Sequence, residues 1–448
     1  MIQPFKLDRR RFIGAASSAT LALNAPFSFA IADSTPPNFL LILTDQHHAE
    51  ALSCAGNASL QTPALDALAL RGTQFTQAYC TSPLCSPSRS SLFTGRMPSE
   101  TGVIRNGRAI HPNIPTLGPW LQSEASYQSF YAGKWHIPHS ATASIPGYTI
   151  LTPGINGHGQ LGDGSVSEAC AGFLLHYKSN EPFFLTASLT QPHDICQWLR
   201  LNTHNQAELR YPSLAESLPP LPANFSIPLE EPQAVTQLRH SNEPAVGKWE
   251  DLHWRYYLWS YYRMVEMADA EIGRILDALE GSGLAENTVV LFTADHGEGC
   301  AHHQMVRKSS PYEESVKVPF LVSNPTHIRQ QAVNTERLVS GLDLFPTLCD
   351  FAGCKTPEGV MGQSLRPWLE GSDKTGPESI LIESFEGQGL SIRSHSCKYT
   401  TFVEGQEEQL FDLQIDPGET RNQIHEPGFA AMLASLRRQA EAWRQRNH

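Results

Sequence analysis

The chain has 448 residues, is 40% hydrophobic and 17% charged, and carries a formal net charge of -12. That balance excludes a disordered chain and suits a folded protein with more than one core. The acidity, with no basic cluster and no aromatic RNA-binding signature, argues against a nucleic-acid partner, although a local cationic site can still take an anionic substrate.

Residues 1–32 predict an export signal. Asp8-Arg9-Arg10-Arg11-Phe12 precedes a mildly apolar, small-residue stretch over 15–30, and Ala30 and Ala32 offer cleavage positions. Paired arginines before Phe12 suggest the twin-arginine route, which makes the mature protein periplasmic or secreted. The apolar run is too short and too serine-rich to span a bilayer, and no later run nears the ~20 residues a span needs, so no stable membrane span is expected.

The first mature strand is 38–43, a near-continuous apolar run of the kind buried on both faces of a parallel sheet. It ends at Thr44-Asp45-Gln46. A helix with Thr62 as its cap and Pro63 in its first turn follows. Apolar strands recur at 127–132, 183–189, 289–293 and 320–322. A helical stripe over 256–279 carries Met264, Met267, Ala268, Ile272 and Ile275. Alternating strands and helices predict an α/β fold, a large, mostly parallel sheet sandwiched by helices. The Pro-, Asn- and Gln-rich segment 199–248 is expected as a surface excursion that shapes a substrate rim, with Trp198 and Arg200 at its start. Short strands at 380–383, 390–393, 398–403 and 409–412, then a helix over 430–446, predict a small C-terminal α+β subdomain over 371–448 beside a catalytic domain over 36–370.

Nine cysteines are present, with no C-x-x-C pair, so a zinc knuckle or thioredoxin-type site is not expected. Cys349 and Cys354 are candidates for a bridge after export. The odd count leaves room for one cysteine with a special role.

Asp45 and Asp295-His296-Gly297 fall at the carboxyl ends of two apolar strands, the edge where parallel sheets bind ligands. With Gln46 they offer oxygen and nitrogen donors for a hard or borderline divalent cation. Each group alone serves equally well as a helix cap or a turn. Ser86-Pro87 opens a helix and leaves Cys85 at its N-terminus, where backbone N–H groups and the helix dipole favour an anion. Arg89, one turn on, has the planar fork to grip an anionic group. The same residues also fit a structural helix entry with a buried thiol.

Cys85-x-Pro87-x-Arg89 followed by Ser-Ser-Leu-Phe-Thr-Gly-Arg resembles the signature of the type I sulfatase family. The resemblance continues, in family order, through Gly133-Lys134-Trp135-His136, Gln191-Pro192-His193, Thr293-Ala294-Asp295-His296-Gly297-Glu298, Lys308, Pro311-Tyr312-Glu313-Glu314 and Asp416-Pro417-Gly418-Glu419-Thr420. It implies an alkaline-phosphatase-like fold and a Cys85 oxidised to formylglycine by a formylglycine-generating maturation enzyme. It also implies Ca2+ (or Mg2+) held by Asp45, Gln46, Asp295, His296 and the oxidised Cys85. Many members have Asp at the Gln46 position and Asn at that of His296, so this site carries less negative charge.

By the same resemblance, Lys134 binds a sulfate oxygen and His136 holds a hydroxyl of hydrated formylglycine. His193 and Lys308 contact the sulfate and the leaving oxygen, one of them as general acid, and Arg89 helps offset sulfuryl charge. The implied reaction removes sulfate from a sulfated small molecule or glycan, with a carbohydrate sulfate as the expected substrate. Two alternatives stand beside it. One is a phosphonate monoester or phosphodiester hydrolase of the same superfamily, and the other is a silent glycan-binding homologue whose Cys85 is never oxidised. His302 and His303 lie between the metal motif and Lys308, and His303 fits a site-lining place and a structural one equally.

Overall fold

The central strand, β1 (Asn38–Asp45), is buried at every position. The computed structural model describes residues 36–447 except 139–143, 155–157, 203–211, 325, 327, 373–375 and 404–406. The expected export signal lies outside the described residues. The other strands of the main sheet are β2 (Gly72–Phe75), β3 (Gln128–Gly133), β4 (Thr149–Thr152), β5 (Phe183–Pro192), β6 (Thr288–Ala294), β7 (Phe320–Ser323) and β8 (Ala332–Asn334). Their order across this eight-stranded sheet is β4-β3-β5-β1-β6-β7-β2-β8. All neighbours pair in parallel except at β7, which runs antiparallel to both β6 and β2.

The helices that matter for the site are α1 (Pro63–Leu70), α2 (Cys85–Thr94), α3 (Gly159–His176), α4 (Gln233–Val246), α5 (Asp251–Gly281), α6 (Leu344–Ala352) and α7 (Ala430–Asn447). Side chains alternate across a pleated strand, so β1 feeds two cores. Leu40 and Ile42 pack with Leu65 of α1, Val166 and Cys170 of α3, and Ile272 and Ile275 of α5. Phe39, Leu41 and Leu43 pack on the other side with Phe93 of α2 and Phe345 and Leu348 of α6. This is the expected mostly parallel sheet between helical layers. Four antiparallel strands follow: β9 (Ser379–Ser384), β10 (Gly389–Ser394), β11 (Cys397–Phe402) and β12 (Glu408–Asp412). Leu390, Ile392, Tyr399 and Leu410 bury there against Leu433, Leu436, Ala440 and Trp443 of α7.

Several local expectations change. Thr62 precedes α1 but does not cap it with its side chain. The carboxylate of Asp269 on α5 does so instead, accepting the N–H groups of Ala64 at 3.1 Å and Leu65 at 2.9 Å. The described part of the segment 199–248 is less open than its composition suggests. It contains α4, which buries Val235, Arg239, Asn242 and Val246 despite Pro244 in its interior. Trp198 is no free sugar platform: it packs among the rings of Trp249, Tyr256 and Tyr257. All nine cysteines are free thiols, so Cys349 and Cys354 are not bridged. Among the described residues no helix is long and apolar enough to cross a membrane.

Candidate active site

Four adjacent strands, β3-β5-β1-β6, deliver the expected residues to one edge of the sheet. Lys134 follows Gly133 at the end of β3, His193 follows β5, Asp45 closes β1, and Asp295 and His296 follow β6. The turn after β3 requires glycine. Gly133 has φ 97° and its missing Cβ would lie 2.0 Å from Ser188 O. Gln46 (φ 66°) and His136 (φ 65°) also occupy the left-handed region, which non-glycine residues adopt only where the surroundings enforce it.

Cys85, the first residue of α2, reaches this edge from the opposite layer. Its Sγ lies 3.2 Å from His296 Nε2, 3.1 Å from Lys308 Nζ and 3.9 Å from Asp45 Oδ1. One donor atom each from Asp45, Cys85, Asp295 and His296 falls within 4.8 Å of the others, and all four residues are buried. His296 Nδ1 lies 2.9 Å from Gly297 O, which holds the ring so that Nε2 faces Cys85. The Oε1 of Gln46 enters the same space, accepting from Lys308 Nζ at 2.7 Å.

One expectation about α2 is corrected. Arg89 does not point its fork at open space. Its Nε donates to Asp295 Oδ2 at 2.8 Å and its Nη2 to Asp45 Oδ2 at 3.0 Å, while Nη1 donates to Lys134 O and Ser188 Oγ. With its side chain fully buried, the guanidinium ties two carboxylates together from behind. At the helix start, the amides just after Cys85 are already engaged. The Ser86 N–H donates to Asn106 Oδ1 at 2.9 Å, Pro87 has none, and the Ser88 N–H donates to Leu84 O.

The electrostatics are those of a charged cluster shut away from solvent. Burial alone would raise the Asp45 carboxyl, but Lys134, His193, Arg89 and Lys308 together hold it well below the usual range. Burial and the nearby Asp45 push Asp295 up, against His296 and Arg89. Burial and Asp45 would also raise the Cys85 thiol, yet Lys308, Lys134 and His296 keep it well below its ordinary value. Burial, with Lys308 and Lys134, holds His193 well below the histidine range, against the pull of Asp45 and Cys85.

These donors suit a divalent cation. Two carboxylates crowded at one point, an amide oxygen and an imidazole nitrogen match an oxygen-rich hard-ion shell. The surrounding groups suit an anion. Beyond its 2.6 Å contact with Asp45, Lys134 Nζ has no acceptor among the described residues, and the buried Nδ1 atoms of His136 and His193 have no partner there.

His303 is not part of this cluster. Its Nδ1 faces Glu314 Oε1 at 3.0 Å, its Nε2 faces Gly418 O at 2.9 Å, and its ring stacks on Tyr312. Burial would raise Glu314, but His303 draws it down to about 2. Burial would lower His303, but Glu314 raises it. The carboxylate's contribution to stability is therefore present above its ordinary value of 4.5 and lost as pH falls towards 2. The imidazolium's is present below 6.5 and lost as pH rises through its raised value. The melting-temperature gap between wild type and Glu314→Gln is expected to be widest near pH 5.5 and to close in acid. A gap that does not vary with pH would refute the pair's role.

Sequence reasoning missed three contributors. Glu298 and Tyr257 hydrogen-bond to each other, Glu298 also accepts from Gln46, and Asn106 anchors the start of α2. Only Glu298 lay in a recognised motif, two residues beyond His296, where its spacing carried no separate signal.

A donor cluster able to hold a cation beyond the carboxyl ends of a parallel sheet, facing the start of a helix, suits a protein of the alkaline-phosphatase-like fold. The family model described as Sulfatase matches residues 37–354, and the one described as N-sulphoglucosamine sulphohydrolase, C-terminal, matches residues 301–446. The chain belongs to the type I sulfatase family and is an enzyme that hydrolyses sulfate esters. It is 32% identical to the Delta 4,5-hexuronate-2-O-sulfatase of Bacteroides thetaiotaomicron, over 90% of this chain and 87% of that one. It is 26% identical to the ulvan-active sulfatase of Formosa agariphila, over 90% and 80%. The solved structure of a 2-O GAG sulfatase superposes with a TM-score of 0.80 at 30% identity, covering 92% of both chains.

Proposed function

We propose that this sulfatase is an exported enzyme that removes sulfate from carbohydrate, with a 2-O-sulfated uronic acid as the first substrate to test. The carrying observation is the buried cluster of Asp45, Cys85, Asp295 and His296 with the Lys308 amine beside the Cys85 side chain and the Lys134 amine on Asp45. The relatives supply the substrate class, because they act on hexuronate, ulvan and glycosaminoglycan sulfates. The paired arginines at the N-terminus support export.

In this reading Asp45, Gln46, Asp295 and His296 hold a calcium or magnesium ion, and Cys85 carries the formylglycine. When bound and hydrated, these groups supply positive charge and an oxygen nucleophile. The chain does the rest. Arg89 positions the carboxylates of Asp45 and Asp295, a role in place of direct sulfate contact. Lys134 and Lys308 draw the sulfuryl oxygens against the Cys85 side and offset the charge that builds on them. His136 orients the reacting side chain through its unpartnered Nδ1. His193 or Lys308 gives a proton to the departing sugar oxygen.

The test pairs two measurements on protein made with a formylglycine-generating enzyme. Peptide mass spectra across Cys85 should show the aldehyde or its hydrate, and sulfate release from 2-O-sulfated uronate oligosaccharides should far exceed hydrolysis of an aryl phosphonate. An unmodified thiol, or preference for the phosphonate, would sink the proposal.

A further inference from the structure

Glu298 is fully buried and has no role in the reading above. Its Oε1 accepts from the Tyr257 hydroxyl and from the backbone N–H of Arg307, and its Oε2 accepts from Gln46 Nε2. A backbone N–H and a carboxamide NH2 can only donate, so both oxygens of Glu298 serve as acceptors. At the other end of Gln46, Oε1 accepts from Lys308 Nζ at 2.7 Å, and that amine stands 3.1 Å from Cys85 Sγ. The Nε2 group also lies 3.3 Å from Cys196 Sγ.

A carboxamide has two ends of nearly equal size and opposite hydrogen-bonding sense, and its partners decide which way it sits. Turned over, Gln46 would set its oxygen against the Glu298 carboxylate and its NH2 against the Lys308 ammonium. Both contacts bring like poles together in a buried site, where such mismatches cost most. We infer that Glu298 is a positioning residue: it fixes the Gln46 amide so that Oε1, the end able to bind a cation, faces the metal site. The inference rests on the reading of Asp45, Gln46, Asp295 and His296 as cation ligands. It also accounts for how the site works with a glutamine. A carboxylate there would present an oxygen either way round, whereas an amide needs an acceptor behind it.

Glu298→Gln preserves shape and reverses the outcome. Tyr257 and Arg307 claim its one carbonyl oxygen, so its NH2 faces Gln46 and turns that amide over. Calcium titrated calorimetrically into the full-length, formylglycine-bearing enzyme after metal stripping should bind roughly 10–100-fold more weakly, the usual cost of losing a partner behind a ligand. The metal-free variant should melt close to wild type. The double variant Gln46→Glu with Glu298→Gln should recover calcium affinity, because one oxygen of Glu at 46 accepts from the new amide and the other faces the cation. Gln46→Glu alone places two carboxylates face to face and should bind calcium more weakly than the double variant. That comparison stands even where Glu298→Gln does not fold. Unchanged affinity in Glu298→Gln, or equal affinity in Gln46→Glu and the double variant, would overturn the inference. Asp295→Asn separates the two levels. If it leaves calcium binding intact, the site reading and the inference fall together. If it abolishes binding while Glu298→Gln has no effect, the inference alone fails.

Discussion

Cys85→Ala is expected to abolish sulfate ester hydrolysis while leaving the fold intact. The thiol is the only part of Cys85 that the maturation chemistry can use, and alanine retains nothing oxidisable at that position. Deleting a nucleophile typically lowers turnover by about 10^4-fold or more, because the charge-stabilising groups that remain have no covalent partner to serve. The fold should tolerate the change. Cys85 begins a helix that is buried along its whole length, alanine is the better helix former, and the gap left is about one sulfur atom. The neighbours of Sγ, Lys308 and His296, keep their other contacts with Gln46 and Gly297. A thermal melt and an assay on an aryl sulfate check both halves. Cys170→Ala is the control. That thiol is buried in the apolar layer against α5, where desolvation pushes it up to about 12, and its loss should leave turnover unaffected. Residual hydrolysis by Cys85→Ala above a thousandth of wild type, with contaminating enzyme excluded, would end the covalent mechanism.

How far the sequence carried these conclusions varied with the physics behind each signal. Strands buried on both faces announced themselves: β1 and β6 are near-unbroken apolar runs, β5 opens with one, and all their residues are buried. Helix α3 did not. It buries Gly159, Gly162, Asp163 and Ser167 alongside Val166, Cys170 and Leu174, so small and polar residues dilute the apolar stripe that periodicity detects. Helix α4 hid behind a polar composition and two prolines, one just before it and one inside. At the site, the strand-end acids were legible because topology alone brings carboxyl edges together. The partners of Arg89 were not. Spacing along α2 fixes which way its side chain leaves the helix, but two carboxylates from distant strands decide that it braces the site. Glu298 and Asn106 were illegible for a related reason. Each acts on another site residue through one hydrogen bond across a long sequence separation, and no local pattern records such a bond.

The largest expected effect on stability lies away from the reacting groups, in a buried charge network beneath the C-terminal sheet. Lys398 on β11 has a side chain only 1% exposed, and its Nζ lies 3.1 Å from Glu313 Oε1 and 2.6 Å from Glu419 Oε1. Arg393 reaches the same Glu313 oxygen at 3.2 Å while resting on the Tyr79 ring, and Glu419 Oε2 accepts the Glu313 N–H at 2.7 Å. The network therefore joins β10 and β11, the Asp416-Pro417-Gly418-Glu419 segment and the chain just beyond Lys308. Lys398→Met keeps length and volume but strands the Glu419 carboxylate out of water and leaves Glu313 with Arg393 as its ion-pair partner. Removing one member of a buried ion cluster typically costs about 3–5 kcal/mol, so the unfolding midpoint should fall by several degrees. The loss should depend on pH in a definite sense. Burial, with Glu313 and Glu314 nearby, already pushes Glu419 up to about 7 against the pull of Lys398. Without the lysine its folded value rises further, and a carboxyl raised in the folded state destabilises most at high pH and is relieved once it takes up a proton. The deficit of Lys398→Met should therefore be larger at pH 8 than at pH 5.5, and Lys398→Met with Glu419→Gln should recover part of it at the higher pH. A deficit independent of pH would show that lost packing, and not the stranded Glu419 carboxylate, sets the cost. A variant that melts with wild type would show that the network contributes nothing to holding this segment against the catalytic edge.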